Sequence, residues 1–429
     1  MKVNLTKDGD KKEILSKGFL FLIIRLLGLF AGYTFTYLVV KFYGTEVYGL
    51  VVLCFSLFVF SGVLGRLGID VNLVKFYSSP ENGSEKGLFF RVVLKSIVVS
   101  SIIALALYWS RHLLSEDLFN KPDMEPFLFW LTVSIPFWSL TLVCAGYLRA
   151  LKMNHWFAFF NNSGRFVLTV IILAVLWSLS DNPLDAIRAH TYGVITLSVL
   201  AFALCVKKHG GITLKTQQNT WFFLKESFPM MLSASMIILL GWVDTFVLGI
   251  YENQTEIGIY NVALKIATFT SFTLQAINSI LAPKLAKSYK EGNTPSFTKL
   301  IRFSTKINFF ITIAVVALLV LSHHWILSIF GKEFLGGSII LIVLCGGQLV
   351  NSFAGSVGVI LQMTGKQKVF QNIVLTALFL NIILNFALIP EYGGLGAAIA
   401  TAASMACRNV LAAGYLKSKM GIVSYYNFK

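Results

Sequence analysis

Twelve stretches of this sequence are each apolar over a length that matches a lipid bilayer. They fall at 18–40, 47–68, 88–110, 127–149, 160–180, 190–206, 228–250, 257–282, 303–322, 335–361, 369–389 and 394–415. A hydrocarbon core of about 30 Å is crossed by about 20 helical residues. No water is available there to satisfy backbone N–H and C=O groups, so continuous apolar runs of this length form helices. Hydrophobic residues make up 56% of the chain and charged residues only 13%, against about 25% charged in soluble domains. The sequence predicts an all-α integral membrane protein with about twelve transmembrane helices.

The formal net charge of +16 raises the question of a nucleic-acid partner. Such a partner calls for Lys and Arg clustered on one polar face. Here they sit in short loops between apolar runs, so no nucleic acid is expected. With alternate loops numbered from the inside, the outer loops hold only Lys41, Arg111, Lys121, Arg188 and Lys332. Arg25, Lys265 and Arg408 lie deep within spans, and the other 28 Lys and Arg fall on the inner side. The positive-inside rule then places both termini in the cytoplasm. Cys54, Cys144, Cys205, Cys345 and Cys407 all lie in apolar runs and read as small buried hydrophobes rather than a disulfide or metal set. The first run is too long for a signal-peptide core, and no cleavable signal is expected.

The sequence also repeats at half-length. Thr45-Glu46 recurs as Thr255-Glu256, Arg91-x-x-x-Lys95 as Arg302-x-x-x-Lys306, Lys75-x-Tyr77 as Lys287-x-Tyr289, and Lys152 as Lys366. The offsets are 210, 211, 212 and 214 residues. Four matches near one offset point to two parallel six-helix repeats: a lobe at 1–206, a cytoplasmic linker at 207–227 and a lobe at 228–429. Parallel repeats of this kind suit alternating access around a site at the lobe interface.

Ionisable residues inside spans carry the functional information, since each costs about 2.5–3.5 kcal/mol on insertion scales. Arg25 is placed to face a cavity, or to snorkel toward the inner surface. Asp244 and Lys265, on consecutive antiparallel helices, are expected at similar depth. They form either a structural ion pair or a cavity-facing lysine tuned by an acid that could carry a coupling ion. Arg408 snorkels or contacts substrate. Arg149 is expected to anchor a helix end, with a cavity mouth as the other reading. Arg66 and Asp70 read as interfacial anchors. Three cations against one acid suit an anionic substrate such as a phosphate or pyrophosphate.

Several apparent motifs read as packing. Gly28-x-x-x-Gly32 and Gly396-x-x-x-Ala400 are small-residue helix faces. Pro136 is expected to kink helix four. Gly393-Gly394-x-Gly396 opens helix twelve and lacks the strand that a dinucleotide fingerprint needs. There is no Walker A run, H-E-x-x-H or G-x-S-x-G in the sequence, so no enzyme activity, metal site or bound cofactor is expected. Work done by this chain would draw on an ion gradient, the membrane potential or substrate flux.

Five regions carry a family resemblance. They are Gly44-Thr45-Glu46-Val47-Tyr48-Gly49; Trp242-Val243-Asp244-Thr245 followed by Thr255-Glu256-Ile257-Gly258-Ile259-Tyr260-Asn261; Ala276-Ile277-Asn278-Ser279-Ile280-Leu281-Ala282-Pro283; Met363-Thr364-Gly365-Lys366; and the run from Leu388 to Thr401. Together they resemble the bacterial polysaccharide-biosynthesis flippases, the Wzx-type translocases of O-antigen or capsule repeat units. The resemblance covers nearly the whole chain. It implies the multidrug/oligosaccharidyl-lipid/polysaccharide exporter superfamily, two six-helix MATE-like lobes, and a multi-pass protein of the bacterial inner membrane. The implied substrate is an undecaprenyl-pyrophosphate-linked oligosaccharide moved from the cytoplasmic to the periplasmic leaflet. A proton or sodium gradient is a further implied partner, as are membrane lipids and the glycan polymerase and glycosyltransferases of the pathway. Arg25 and Lys265 match the helices that carry cationic cavity residues in similar flippases, and Asp244 matches the acid of the W-x-D-T-like stretch. Added lipid-binding helices of peptidoglycan-precursor flippases are not expected. A cation-coupled drug or metabolite antiporter of the same superfamily is the alternative, although the first helix holds Arg25 and no carboxylate. A membrane scaffold for glycan-assembly enzymes is a third reading.

Overall fold

The computed structural model describes residues 9–77, 85 and 87–426. Among these the regular structure is helical throughout. Nine helices are long and apolar enough to cross a membrane, and a tenth crossing is the bent pair Gln254–Thr268 and Ser271–Lys290. Two of the ten run 43 and 54 residues, about twice the length that a bilayer needs at 1.5 Å per residue. Each folds back at a glycine with positive φ, so each is two crossings and the total is twelve.

The first of these is α1 (Gly9–Gly65), which breaks at Gly44 with φ 88° and ψ 174°. Only glycine takes that geometry without a steric cost. Next come α2 (Ile69–Tyr77), α3 (Gly87–Trp109), α4 (Glu125–Ala150), α5 (Asn154–Trp177) and α6 (Asp185–His209). Of these, α5 contains a π-helical turn at Phe159–Ser163. α4 is buried along most of its length, as expected of a helix that is apolar all round. It continues as one helix through Pro136, rather than ending or splitting there. Arg66 and Asp70 form a mostly buried ion pair at 3.1 Å. They close the turn between α1 and α2 instead of anchoring at the surface.

The remaining elements are α7 (Thr220–Leu240), α8 (Val243–Tyr251), α9 (Gln254–Thr268), α10 (Ser271–Lys290), α11 (Thr294–Leu321), α12 (Ser338–Ala354), α13 (Val357–Met363) and α14 (Gln367–Met420). α14 is the 54-residue element. It turns at Gly393, with φ 52° and ψ −132°, between the two spans that the sequence predicts there. Its Gly394 N–H donates to Glu256 Oε1 at 3.1 Å, while Asn253 caps α9 by accepting from the Glu256 N–H at 2.9 Å. One acidic residue in the first turn of α9 thus also holds the hairpin of α14.

The chain divides into two compact units, Met1–Tyr43 with Cys54–Ser235, and Gly44–Leu53 with Met236–Lys429. The boundary falls at 235/236, so the 207–227 segment expected as a linker belongs to the first unit. Its chain is pinned there, because Arg91 Nε donates to the Leu214 carbonyl at 2.6 Å. Gly44–Leu53 is counted with the second unit, where Thr45 Oγ1 donates to Glu333 Oε2 at 2.5 Å. The second unit has an apolar core at one end, built from Leu281, Leu285, Phe297, Ile301, Ile360 and Leu416. The five cysteines are free, four of them buried.

Candidate functional site

Two successive crossings of the second unit are discontinuous. α7 ends at Leu240, α8 starts at Val243, and Gly241-Trp242 between them is a turn. α9 and α10 meet at a 42° bend. Breaks at this depth expose helix ends, whose unpaired N–H and C=O groups carry about half a unit charge of either sign. The charges that the sequence places here answer them. Asp244 sits in the first turn of α8, at the positive end. Lys265 sits in the last turn of α9, at the negative end.

Asp244 is 2% exposed and accepts four hydrogen bonds from neutral groups. Tyr260 Oη donates to Oδ2 at 2.9 Å, and the Thr401 hydroxyl donates to the same oxygen. Asn381 Nδ2 and Asn385 Nδ2 donate to Oδ1 at 3.0 and 2.6 Å. Asn381 and Asn385 lie one turn apart on the first half of α14, and Thr401 on its second half. Among the described residues no basic side chain reaches the carboxylate. The buried Oδ1 of Asn385 has no hydrogen-bond partner.

The ion pair with Lys265 that the sequence left open is therefore not formed. Asp244 lies seven residues before the end of α8, and Tyr260 six after the start of α9. Lys265 is five residues further along, about 7.5 Å deeper at the helical rise. Tyr260, not Lys265, is level with the acid. Arg408 is nearer in function. It borders a cavity of about 170 Å3 that Asp244, Gln348, Thr401 and Ser404 also line. Its Nη2 lies 3.4 Å from Asn351 Oδ1, which also accepts from Asn409 Nδ2 at 3.0 Å. One small cavity thus carries an acid on one wall and a guanidinium on another. Lys265 does not line it.

In the first unit, Arg25 is half-buried on α1. The neighbouring Ile24 carbonyl accepts from Ser163 Oγ at 2.7 Å. A Cβ on Gly28 would fall within 2.4–2.6 Å of Ser163, so the small-residue face predicted at Gly28 does serve close packing. Arg149 is exposed in the last turn of α4, with its guanidinium 4.9 Å from the Phe157 ring. It joins none of the other candidates.

One residue escaped the sequence reading. Arg165 is 8% exposed and lies at 4.4–5.5 Å from the ring centroids of Phe55, Phe58, Trp138 and Phe166. Its guanidinium has no hydrogen-bond or ion-pair partner among the described residues. His190 packs tilted against the same Phe55 and edge-on to Phe58, at 4.5 and 4.9 Å between ring centroids, and both of its ring nitrogens are buried without a partner. A span starting at 160 puts Arg165 near the inner edge. The helix instead starts at Asn154, which moves Arg165 to mid-span. His155-Trp156 was the available signal, because amphipathic rings gather at the membrane boundary.

Among the described residues, His112, Glu116 and Glu125 form the group with metal-ligand spacing. Arg111 Nε holds Glu125 at 2.9 Å, a charge that opposes a cation there.

The profile described as "Polysaccharide biosynthesis protein" matches residues 14–289. The chain belongs to the polysaccharide biosynthesis protein family. The MatE profile also matches this family member, over residues 229–387. Its relatives include the "Probable low-salt glycan biosynthesis flippase Agl15" of Haloferax volcanii, 30% identical over 44% of this chain and 40% of that protein. Another is the "Capsular polysaccharide biosynthesis protein CapF" of Staphylococcus aureus, 29% identical over 54% of this chain and 60% of that protein. These matches span 40% and 60% of the relatives' lengths, less than two thirds of either. Its fold is that of the lipid II flippase MurJ in an inward closed conformation, with a TM-score of 0.75, 20% identity, and coverage of 94% of this chain and 88% of that one. An inward-facing MATE family transporter of the MOP superfamily has a TM-score of 0.74, at 18% identity over 93% and 98% of the two chains.

Proposed function

We propose that this chain is a flippase that moves an undecaprenyl-pyrophosphate-linked oligosaccharide from the cytoplasmic to the periplasmic leaflet by alternating access. The product would feed O-antigen or a related surface polysaccharide in a bacterial inner membrane, with both termini cytoplasmic. The observation that carries this reading is the sign of the charge held within the crossings. Arg25, Arg165, Lys265 and Arg408 stand against Asp244, and guanidinium and ammonium groups are the partners that a pyrophosphate requires. Family membership and the glycan flippases among the relatives support the same substrate class.

The Asp244 cluster supplies the coupling step. A buried carboxylate with only neutral donors around it is completed by a proton or a small cation, since an uncompensated buried ion costs several kcal/mol. Carboxylate, hydroxyl and amide oxygens suit a hard cation. Asp244, Thr401 and Tyr260 offer such oxygens directly, and the unpartnered Asn385 Oδ1 offers another after a rotation of its amide. Arg408, on the same cavity, would sense that charge change and transmit it to the substrate-binding cations.

The test is a deletion strain, with and without the gene restored, in which the lipid-linked glycan is assigned to a leaflet. Accumulation on the cytoplasmic side with loss of surface polymer is expected. Unchanged distribution, in a strain without a second flippase, overturns the reading. The MatE match favours one other reading, a cation-coupled drug or metabolite antiporter. Raised drug tolerance on overexpression, with glycan unaffected by deletion, would establish it instead.

A further inference from the structure

The repeated Arg-x-x-x-Lys pair is not used by any step above, and the structure gives it a setting. Arg91 and Lys95 lie in the second and third turns of α3, and Arg302 and Lys306 in the third and fourth turns of α11. Each pair borders an open cavity. The one beside α3 measures about 530 Å3 and is also lined by Gln218, Asn219 and Trp221. The one beside α11 measures about 610 Å3 and adds Lys299 and Thr298. No carboxylate lines either cavity among the described residues, and none of the five cations has an ion-pair partner there.

Arg91 has one hydrogen bond, and the other four cations have no acceptor among the described residues. Arg91 uses Nε on the Leu214 carbonyl, which leaves the two terminal nitrogens of its fork to point elsewhere. Lys95 Nζ sits 3.6 Å from the Trp221 ring centroid and has no hydrogen-bond partner. Trp221 itself is exposed, as expected of an indole at a membrane boundary. Beyond each cationic pair the same helix face is apolar and unpartnered. On α3, Leu94, Val98, Ile102, Leu105 and Trp109 are all at least half exposed. On α11, Phe303, Phe310, Ala314, Ala317 and Leu321 are exposed at the same helical period. A cationic head above an apolar stripe is the complement of an amphiphile with an anionic head and hydrocarbon tails. A free phosphate would use the cationic head and make no contact with the stripe.

We propose that these two repeat-related grooves each bind the headgroup of an acidic glycerophospholipid, with its acyl chains along the stripe below. Phosphate oxygens accept from the Arg and Lys donors, and the Gln218 and Asn219 amides supply further polar contacts in the α3 groove. The proposal stands independently of the flippase reading, because it concerns resident lipid and not cargo.

The test uses the full chain, delipidated in detergent and titrated with phosphatidylglycerol or phosphatidylcholine, with bound lipid counted by native mass spectrometry. Two tightly held phosphatidylglycerol molecules are expected. The Arg91→Gln/Lys95→Gln and Arg302→Gln/Lys306→Gln variants should each lose one, its affinity falling about thirtyfold for two charges at about fivefold each. The four-site variant should retain neither. The charge-keeping Arg91→Lys/Lys95→Arg variant should keep its lipid, which separates loss of binding from loss of folding. An unchanged lipid count in the four-site variant overturns the proposal. So does equal retention of phosphatidylcholine, or displacement of the lipid by inorganic phosphate at equal concentration.

Discussion

The hydroxyl of Tyr260 donates to Oδ2 of Asp244 at 2.9 Å, joining the first turn of one half-helix to the second turn of its antiparallel neighbour. The tyrosine supplies a fixed donor to an acid that is 2% exposed at a break in the membrane-spanning chain. Tyr260→Phe removes that donor and leaves three. A loss of about 1.5–3 kcal/mol is expected for a bond to a charged acceptor. It is read as a lowered melting temperature in detergent together with reduced transport. An unchanged melting temperature would show that the bond is not made when the acid is charged.

Asp244→Leu removes the acceptor of four buried donors, the Asn381 and Asn385 amides and the Tyr260 and Thr401 hydroxyls, and a buried donor left unsatisfied costs about 1–3 kcal/mol. Asp244→Asn keeps an oxygen for two of them. The leucine variant is expected to be poorly produced, and the asparagine variant to be produced normally but to lose its response to an ion gradient. Normal coupling by Asp244→Asn would remove the acid from the coupling step.

Arg165 offers a sharper separation of stability from function. Replacing buried ionic groups by apolar side chains of similar volume is often neutral or stabilising, because the desolvation cost goes with the charge. Arg165→Met should therefore melt within about 1 kcal/mol of the parent or above it, while glycan export falls. If methionine instead destabilises by several kcal/mol, the four-ring cage is a structural element and Arg165 has no part in binding anions.

The two hairpin glycines should differ. A Cβ on Gly44 meets nothing within 4 Å, whereas a Cβ on Gly393 approaches Glu252 Oε1 at 3.1 Å. Gly44→Ala is expected to cost only the backbone term, about 1–3 kcal/mol, since φ 88° with ψ 174° is a region kept for glycine. Gly393→Ala should cost more, because its ψ of −132° likewise lies outside the left-handed well and the new Cβ also crowds Glu252. Equal melting temperatures for the two variants would contradict this.

These glycines also mark where the sequence was easiest to read. Apolar runs interrupted near Gly44 and after Pro390 place both hairpins correctly, since span length is fixed by the bilayer. The positions of charges along spans were harder. Lys265 was set level with Asp244 because a bent or broken helix leaves no mark on hydropathy, and the break at Gly241-Trp242 lies inside an apolar run. Arg165 was missed because its helix begins six residues earlier than hydropathy indicates, the polar residues Asn154 and His155 masking the first turns. The partners of Asp244 were visible only as scattered Asn and Thr. Tyr260 is 16 residues away and Thr401 157, and only folding brings them to one carboxylate. The assignment of Gly44–Leu53 to the second unit is likewise a long-range contact that no local pattern encodes.

The most direct test of the central claim is flipping by the purified full chain in sealed vesicles. A pyrophosphate-linked oligosaccharide is placed in both leaflets, and the outer-leaflet fraction is followed with a membrane-impermeant glycosidase, with and without an imposed proton or sodium gradient. The account predicts that the protein carries the protected fraction across, that one of the two gradients accelerates it, and that Asp244→Asn abolishes the acceleration. A protected fraction that stays inaccessible to the glycosidase under every gradient, with folded protein in the vesicles, would contradict it.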